Sequence, residues 1–202
     1  MSCTLSPETI KQVTEFHGHW CPGLAIGLRA AEWALREMGR SGDEEIVTVV
    51  ETDMCGVDAI QALVGCTFGK GNLIHLDYGK NAFTFHRRRD GKAARLVASS
   101  CLFGESRQEL GRLMAKQKQQ VLNPEEQQRL ADLRAEISHQ TMSAPFEELF
   151  TIKAAGPLPA KARIMNSLTC EECGEGTMES RTRRFQEKTL CIPCFADRER
   201  RL

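Results

Sequence analysis

Residues 16–23 constrain this chain more than any other stretch, because they place two imidazoles and a thiol within five positions. His17, His19 and Cys21 alternate along the sequence, so they cannot share one helical face but can converge on a loop or extended segment. Imidazole and thiolate are the side chains that best hold borderline-soft metals. Pro22 suits the first position of a helix, which makes Cys21 the N-cap, where the helix dipole favours its thiolate.

The remaining local patterns predict an α+β fold with a central, mostly antiparallel sheet and flanking helices. Capping residues and helical periodicity predict a helix that begins after Ser6 and ends at His17, followed by helices over residues 22–38, 57–64, 104–120 and 124–139. Runs rich in β-branched residues predict strands over residues 46–50, 73–78, 82–86, 93–98 and 149–154. Turn residues 79–81 and 90–91 predict that the middle three strands follow one another as hairpins, and residues 142–150 are predicted to break the helical pattern.

Composition limits the class of protein. The 202 residues suit one main domain with a small addition. Lys plus Arg and Asp plus Glu both number 27, so no net charge attracts nucleic acid or anionic lipid. No apolar stretch is long enough to span a membrane, and the N-terminus has no basic segment followed by an apolar one, which favours a cytoplasmic location. Nine cysteines without an export signal favour reduced thiols, most of them on metal.

Four cysteines near the C-terminus form two Cys-x-x-Cys pairs separated by 17 residues. Two such pairs can close a tetrahedron around zinc, with a disulfide pair or redox motifs as the alternative. The ligands of this predicted structural zinc site are Cys170, Cys173, Cys191 and Cys194. The segment resembles zinc fingers of the TraR/DksA type, and residues 181–187 are predicted to form a hairpin or loop. The Gly-Pro-rich residues 156–159 indicate a linker, so we predict domains over residues 1–165 and 166–202.

Arginines are frequent in this C-terminal segment, but glutamates are interleaved with them. A solvated face is therefore favoured over nucleic-acid binding. The arginines concerned are Arg181, Arg183, Arg184, Arg198, Arg200 and Arg201.

Three groups of residues resemble the FmdE family of formylmethanofuran dehydrogenase subunits across most of residues 10–165. They are Phe16-His17-Gly18-His19-x-Cys21-Pro22-Gly23 with Gly27; Glu51-x-x-x-Cys55-x-x-Asp58-x-x-Gln61 with Gly65-Cys66-Thr67-x-Gly69-Lys70-Gly71-Asn72; and Asp77-x-Gly79-Lys80-x-Ala82-Phe83. The resemblance implies an α+β core, a homodimer and a transition-metal site near the His/Cys motif. It does not imply the dehydrogenase reaction, whose redox chemistry belongs to other subunits.

We predict that the core metal ligands are His17, His19, Cys21 and Cys55. Cys55 follows a strand and precedes a helix, where a loop can turn it toward the His-x-His-x-Cys segment. Three ligands plus water make an open site and four ligands close it, and the mixed donors suit zinc, nickel or iron. The alternative is that His17 only ends a helix and Cys21 is only an N-cap.

Several other residues are weaker candidates for the site. Asp58 and Gln61, three apart on a helix, can orient a ligand imidazole or lie on an exposed face. Cys66 is a ligand, a nucleophile or a core thiol, and His75 shares a strand face with Asp77. Of the remaining cysteines, Cys3 is predicted in a loose terminus and Cys101 in the core.

Three functions are compatible with these patterns. The first is an enzyme or part of an enzyme complex whose open metal site acts on a small anionic or C1-type substrate. The second is an accessory protein that senses, stores or delivers metal, or that assists a molybdenum- or tungsten-type redox enzyme. The third is a zinc-ribbon adaptor without catalysis, which binds a protein or nucleic-acid partner through the tail.

Overall fold

The computed structural model of the chain describes residues 2–99 and 102–200. Cys101, predicted in the core, and Arg201 of the C-terminal arginine group lie outside the described residues. The chain divides into two compact units, and the division falls between Lys161 and Ala162. Within the described ranges, no helix combines the length and the apolar character needed to cross a membrane.

The helices of the first unit begin where the capping residues predict. The Ser6 hydroxyl accepts the Thr9 N–H at the start of α1, and Asn123 and Glu126 form a complete capping box at the start of α5. The helices are α1 (Pro7–His17), α2 (Pro22–Glu37), α3 (Gly56–Ala59), α4 (Gly104–Gln119), α5 (Pro124–Ser143) and α6 (Phe146–Leu149). A π-helical turn, Ile60–Val64, continues α3.

Five strands form one sheet in the order β2-β1-β3-β4-β5, and only the β1–β2 pair is parallel. The strands are β1 (Ile46–Val50), β2 (Leu73–His75), β3 (Ala82–Arg87), β4 (Ala93–Ala98) and β5 (Phe150–Lys153). This architecture confirms the predicted α+β class with a mostly antiparallel sheet flanked by helices.

The predicted hairpin between β2 and β3 is wrong. Thr48 of β1 pairs with Leu73 of β2 on one side and with Phe85 of β3 on the other, so β1 lies between them. A strand as apolar as β1 is stabilised by neighbours on both edges, which bury its backbone groups and side chains together. β2 also ends at His75 rather than at residue 78.

The helical boundaries near the end of the first unit also differ from the prediction. α5 continues to Ser143, so His139 lies inside the helix rather than at its end. α6 occupies most of the predicted break at residues 142–150. The buried Arg29 guanidinium donates to the carbonyls of Thr141, Met142 and Ala144, which stabilises the last turn of α5 beyond what local sequence indicates.

The core of the first unit combines α2 with the sheet. Leu24 and Leu28 of α2 are fully buried in one cluster with Phe83 and Phe85 of β3. The Trp33 ring lies 6.1 Å from that of Phe85. α2 is therefore the central helix, and its N-terminal end is fixed against this core.

The second unit consists of two hairpins and a helix. The predicted hairpin over residues 181–187 is confirmed, whereas the final helix was not predicted. Its elements are β6 (Ser167–Thr169), β7 (Gly176–Met178), a 3₁₀ turn (Glu179–Arg181), β8 (Thr182–Phe185), β9 (Lys188–Cys191) and α7 (Ile192–Glu199). Its buried cluster is small, comprising Cys170, Leu190 and Cys191 with Phe185, Cys194 and Phe195 packed against them.

Candidate metal centres

The four core residues predicted as ligands lie together in the structure. One donor atom from each of His17, His19, Cys21 and Cys55 lies within 4.8 Å of all the others. His17 is the last residue of α1, and Gly18 then turns the chain with φ of 95° so that His19 faces the same point. Cys21 is the N-cap of α2 and Cys55 is the N-cap of α3.

A backbone contact between two glycines brings Cys55 to this point. A Cβ built on Gly27 would lie 2.3 Å from the Gly56 carbonyl oxygen and 2.4 Å from its Cα. Such separations are far below van der Waals contact, so only glycine at position 27 lets α2 and α3 approach this closely. Gly23 also lies beside Cys55, since a Cβ on Gly23 would be 3.2 Å from the Cys55 Cβ.

The His17 ring is oriented by hydrogen bonds that leave one nitrogen for a ligand. Its Nδ1 lies 2.7 Å from Oδ2 of Asp58, and its Nε2 lies 4.0 Å from Sγ of Cys21. The Gln61 side-chain amide donates to the other Asp58 oxygen at 3.4 Å. Carboxylates commonly fix metal-binding imidazoles in this way, with the remaining nitrogen directed at the ion. The structure thus places both Asp58 and Gln61 behind His17.

The electrostatic surroundings of the two thiols follow from the helix ends. The Cys21 sulfur accepts the Leu24 N–H at 3.4 Å, as an N-cap side chain does. Burial raises the pKa of the Cys55 thiol, and the neighbouring Cys21 thiol raises it further. A divalent cation between the sulfurs would reverse this effect, because it stabilises both thiolates.

The donor set fits a transition metal. Donors at the corners of a tetrahedron around zinc, with bonds of roughly 2.0–2.3 Å, lie about 3.3–3.8 Å apart. The 4.0 Å between the His17 nitrogen and the Cys21 sulfur is close to this spacing. Among the four residues His19 alone is exposed, so one coordination position of such a site faces solvent.

Two further cysteines lie outside the cluster. The Cys66 thiol is fully buried, donates to the Ile46 carbonyl at 3.3 Å and has a pKa raised by burial. It is a core thiol rather than an exposed nucleophile. Cys3 is half-buried, and its backbone N–H donates to the Met142 carbonyl, so the predicted loose terminus is wrong at this residue.

Two cavities border the cluster, and Met54 and Cys55 line both of them. The smaller has a volume of about 400 Å³. Its polar lining includes His17, His75, Asp53, Asp58 and Gln61. His75, a weak candidate on sequence grounds, therefore shares a cavity with His17, although Asp77 does not line it.

The larger cavity, of about 500 Å³, was not predicted from the sequence. Residues from α4 and α5 enclose it together with the segment around Cys21. Sequence reasoning missed Arg107 and Arg134, because surface helices carry many such arginines and only the packing of α4 against α5 brings these two together.

Glu51 and Arg95 form a buried ion pair close to the loop that carries Cys55. Two hydrogen bonds of 2.6 and 2.7 Å join the guanidinium to the carboxylate, and they hold the pKa of Glu51 below its usual range. The Glu51 carbonyl also accepts the Lys80 N–H. Arg95 was another omission, although a lone arginine within the apolar strand β4 is a usable signal for a buried partner.

The second cluster contains the four C-terminal cysteines, whose sulfurs all lie within 4.8 Å of one another. The Cys173 and Cys191 sulfurs are 3.9 Å apart, far longer than a disulfide bond of about 2.05 Å. Backbone N–H groups of Cys173, Cys191 and Glu172 surround the Cys170 sulfur and lower its pKa to about 6. This arrangement of thiols supports a structural zinc ion and excludes the disulfide alternative in this structure.

Comparisons with known proteins agree with this division. The family model described as FmdE, Molybdenum formylmethanofuran dehydrogenase operon, matches residues 16–151. The model of the prokaryotic dksA/traR C4-type zinc finger matches residues 164–200.

A curated relative and a solved structure extend the comparison. A protein of Archaeoglobus fulgidus described as "Probable S-adenosyl-L-methionine-binding protein" is 31% identical over 196 aligned residues. The alignment covers 89% of this chain but 50% of that protein, so the chain spans about half the length of this relative. The crystal structure of an FmdE-like protein of tungsten formylmethanofuran dehydrogenase, from Syntrophus aciditrophicus, is 23% identical, covers 99% of both chains and has a TM-score of 0.66, which shows a shared fold.

Proposed function

This chain belongs to the FmdE family, and from that premise we propose that its core, residues 1–165, holds an accessible transition metal. The ligands are His17, His19, Cys21 and Cys55. The observation that carries this proposal is the 2.7 Å contact between Asp58 and His17 Nδ1, which turns Nε2 toward the two thiols. A buried histidine with a purely structural role has no need of two cysteines facing its second nitrogen.

Zinc is the metal that the donor set fits best, with nickel and iron as the alternatives. Two imidazoles and two thiolates from short loops match the tetrahedral coordination that zinc prefers. Anomalous scattering measured at the three absorption edges on crystals of the full chain distinguishes these metals directly. Zinc bound at the four C-terminal cysteines provides an internal reference in the same crystal.

We propose further that the site is that of an enzyme, or of one component of an enzyme complex, acting on a small anionic substrate. Bound there, a divalent metal supplies Lewis-acid chemistry. Asp58 holds the Nδ1 proton of His17, and Gln61 holds Asp58. His19 is the exposed ligand, and the two cavities give small molecules access to the cluster.

Metal analysis of purified full-length protein tests the core site. We expect two metal ions per chain in the wild type and one in Cys55→Ser, whereas Cys3→Ser retains two because Cys3 lies outside both clusters. Asp58→Asn should retain the site but weaken metal binding about tenfold to 100-fold, since it alters only the hydrogen bond to His17. Two ions in Cys55→Ser, or unchanged affinity in Asp58→Asn, would overturn the assignment.

Association with other proteins is part of the same proposal. The family description and the name of the solved relative both refer to formylmethanofuran dehydrogenase, which supports a role as a subunit or accessory of a molybdenum- or tungsten-type redox enzyme. We also propose a homodimer. Sedimentation of the metal-loaded chain measures its own oligomeric state, and copurification with such an enzyme from native cells tests the association.

The adaptor hypothesis makes a different prediction. If the protein acts only through its zinc finger, a partner should bind equally well to wild type and to Cys55→Ser. If the core site is functional, Cys55→Ser should lose activity while the finger remains folded.

A further inference from the structure

We propose that the larger cavity binds an organic oxyanion with an apolar body, and that it is the substrate pocket of the core metal site. The inference rests on the proposed function and adds to it the class of substrate and the residues that recognise it. Its volume of about 500 Å³ lies within the range of small-molecule sites in proteins.

The walls of this cavity are mainly apolar. α4 contributes Leu110 and Met114, α5 contributes Ile137, and the segment leading into α2 contributes Trp20 and Ile26. Met114 is 41% exposed, which is unusual for a large apolar side chain without a partner. An apolar ligand body would remove this surface from water.

The charged groups lining the cavity have one sign. Arg107 of α4 and Arg134 of α5 line it, and no aspartate or glutamate lies among its described lining residues. Within residues 2–99 and 102–200 neither guanidinium forms an ion pair with a carboxylate. The helix spacing from Arg107 to Leu110, like that from Arg134 to Ile137, places each arginine on the same face as an apolar wall residue.

The smaller cavity shows that this charge pattern is specific to one side of the cluster. It is lined by Asp53 and Asp58 and by no lysine or arginine among the described residues. An anion is therefore repelled from the smaller cavity and attracted to the larger one. The N-terminal residues of α2, Pro22 and Gly23, also line the larger cavity and add the positive end of a helix dipole.

Arginine pairs with planar oxyanions through parallel N–H bonds, so a carboxylate or a phosphate group satisfies both residues. With its anionic group at Arg107 and Arg134, the ligand has its apolar body between α4 and α5. Cys21 and Cys55 line the same cavity, so the ligand lies beside the metal cluster.

Calorimetric titration of the metal-loaded full chain tests the inference, with 4-phenylbutyrate as the carboxylate probe and phenyl phosphate as the phosphate probe. We expect at least one of them to bind. The uncharged 4-phenylbutyramide should bind about twentyfold more weakly than the acid, and acetate should not bind at the same concentration, because it lacks the apolar body.

Variants at the two arginines give the sharper test. Arg107→Gln and Arg134→Gln should each weaken binding of the better probe about fivefold, as expected for partly exposed ion pairs. Arg112→Gln is the matched control, because Arg112 lies on α4 but does not line the cavity, and its affinity should equal that of the wild type. Equal binding of acid and amide, or unchanged affinity in both cavity variants, would overturn the proposal.

Metal content measured on the same samples separates this inference from the proposed function. If two metals are bound and neither probe binds, the pocket assignment is wrong and the metal site stands. If the core holds no metal but a probe binds with the expected arginine dependence, the proposed function fails and the cavity remains an oxyanion site.

Discussion

The two cysteine clusters use similar donors but receive opposite kinds of support. In the first unit, Cys21 and Cys55 lie at the ends of helices that pack on a five-stranded sheet. In the second unit, Cys170 and Cys191 are themselves most of the buried core, with Leu190 the only other fully buried residue described in that cluster. The first cluster is therefore placed by the fold, whereas the second must largely create its own fold.

This difference teaches that the same ligand chemistry can have two physical roles. A scaffold that is stable without metal can leave a coordination position accessible, as the exposed His19 does. A segment of about 40 residues cannot bury enough apolar surface to fold alone, so the free energy of metal binding becomes its folding free energy. Four predictions test this contrast, beginning with the largest effect.

Removing metal with a chelator should unfold the second unit and leave the first unit folded. The expected loss is about 10 kcal/mol or more of metal-coupled stability in the zinc finger. Amide exchange reports on the finger, for example at the Cys191 N–H that donates to the Cys170 sulfur. Trp20 and Trp33 are the protein's two tryptophans, so fluorescence reports on the first unit alone. A large emission shift on chelation would contradict the contrast.

Gly27→Ala should break the scaffold of the core cluster. A methyl group 2.3 Å from the Gly56 carbonyl forces α2 and α3 apart, which should cost about 3 kcal/mol and weaken core metal binding. Urea unfolding followed by tryptophan fluorescence gives the first value and metal titration gives the second.

The matched control is Gly111→Ala, in the middle of α4, where a Cβ meets no atom within 4 Å. Alanine there should stabilise the chain by up to about 1 kcal/mol through helix propensity. If both variants behave alike, the close approach of Gly27 and Gly56 has no structural importance.

Arg95→Gln should destabilise the first unit by about 2 kcal/mol at pH 7, because it leaves the Glu51 carboxylate buried without its cation. The figure is below that of a fully buried pair, since the Arg95 side chain is 20% exposed. The native pKa of Glu51 is lowered by Arg95, so this stabilisation is complete above the unfolded pKa of about 4.3 and is lost as the pH falls through the native pKa.

The difference between wild type and Arg95→Gln should therefore shrink between pH 7 and pH 3 when unfolding is followed by tryptophan fluorescence. Arg89→Gln, whose side chain is 73% exposed, is the control and should change stability by less than about 0.5 kcal/mol at either pH. A difference that grows toward acid would show that the sign is wrong.

The smallest effect is expected in the hairpin of the zinc finger. Gln186 and Glu187 connect β8 to β9 with φ of 47° and 66°, in the left-handed region that side chains disfavour. Replacing them with Asn-Gly, which prefers this turn, should stabilise the finger by about 1 kcal/mol and raise its zinc affinity about fivefold. Competition with a chromophoric chelator measures the affinity, and an unchanged value would mean that the turn contributes no strain.

The sequence was sufficient to predict what depends on neighbouring residues. Ser6 and Asn123 begin their helices because their side chains cap N–H groups within three residues. Cys21 caps α2 for the same reason, and the four tail cysteines are brought together by turns within each pair. These features are local, so a single sequence contains the information that determines them.

Features that depend on distant pairing could not be predicted. The parallel pairing of β1 with β2 joins residues 48 and 73, and no turn residue between them indicates it. The position of Cys55 depends on how closely α2 packs on α3, and Arg107 and Arg134 meet only through the packing of α4 on α5. Both cavities arise from tertiary contacts of this kind.

The contact between Gly27 and Gly56 also provides a criterion for choosing relatives to study. Because neither position tolerates a larger side chain without moving the helix that carries Cys55, a homologue with alanine at the equivalent of Gly27 must have a different arrangement of donors. One codon therefore divides proteins of this fold into those that can inherit the core metal centre and those that have lost it. Comparing one member of each group would show which cellular role travels with the metal.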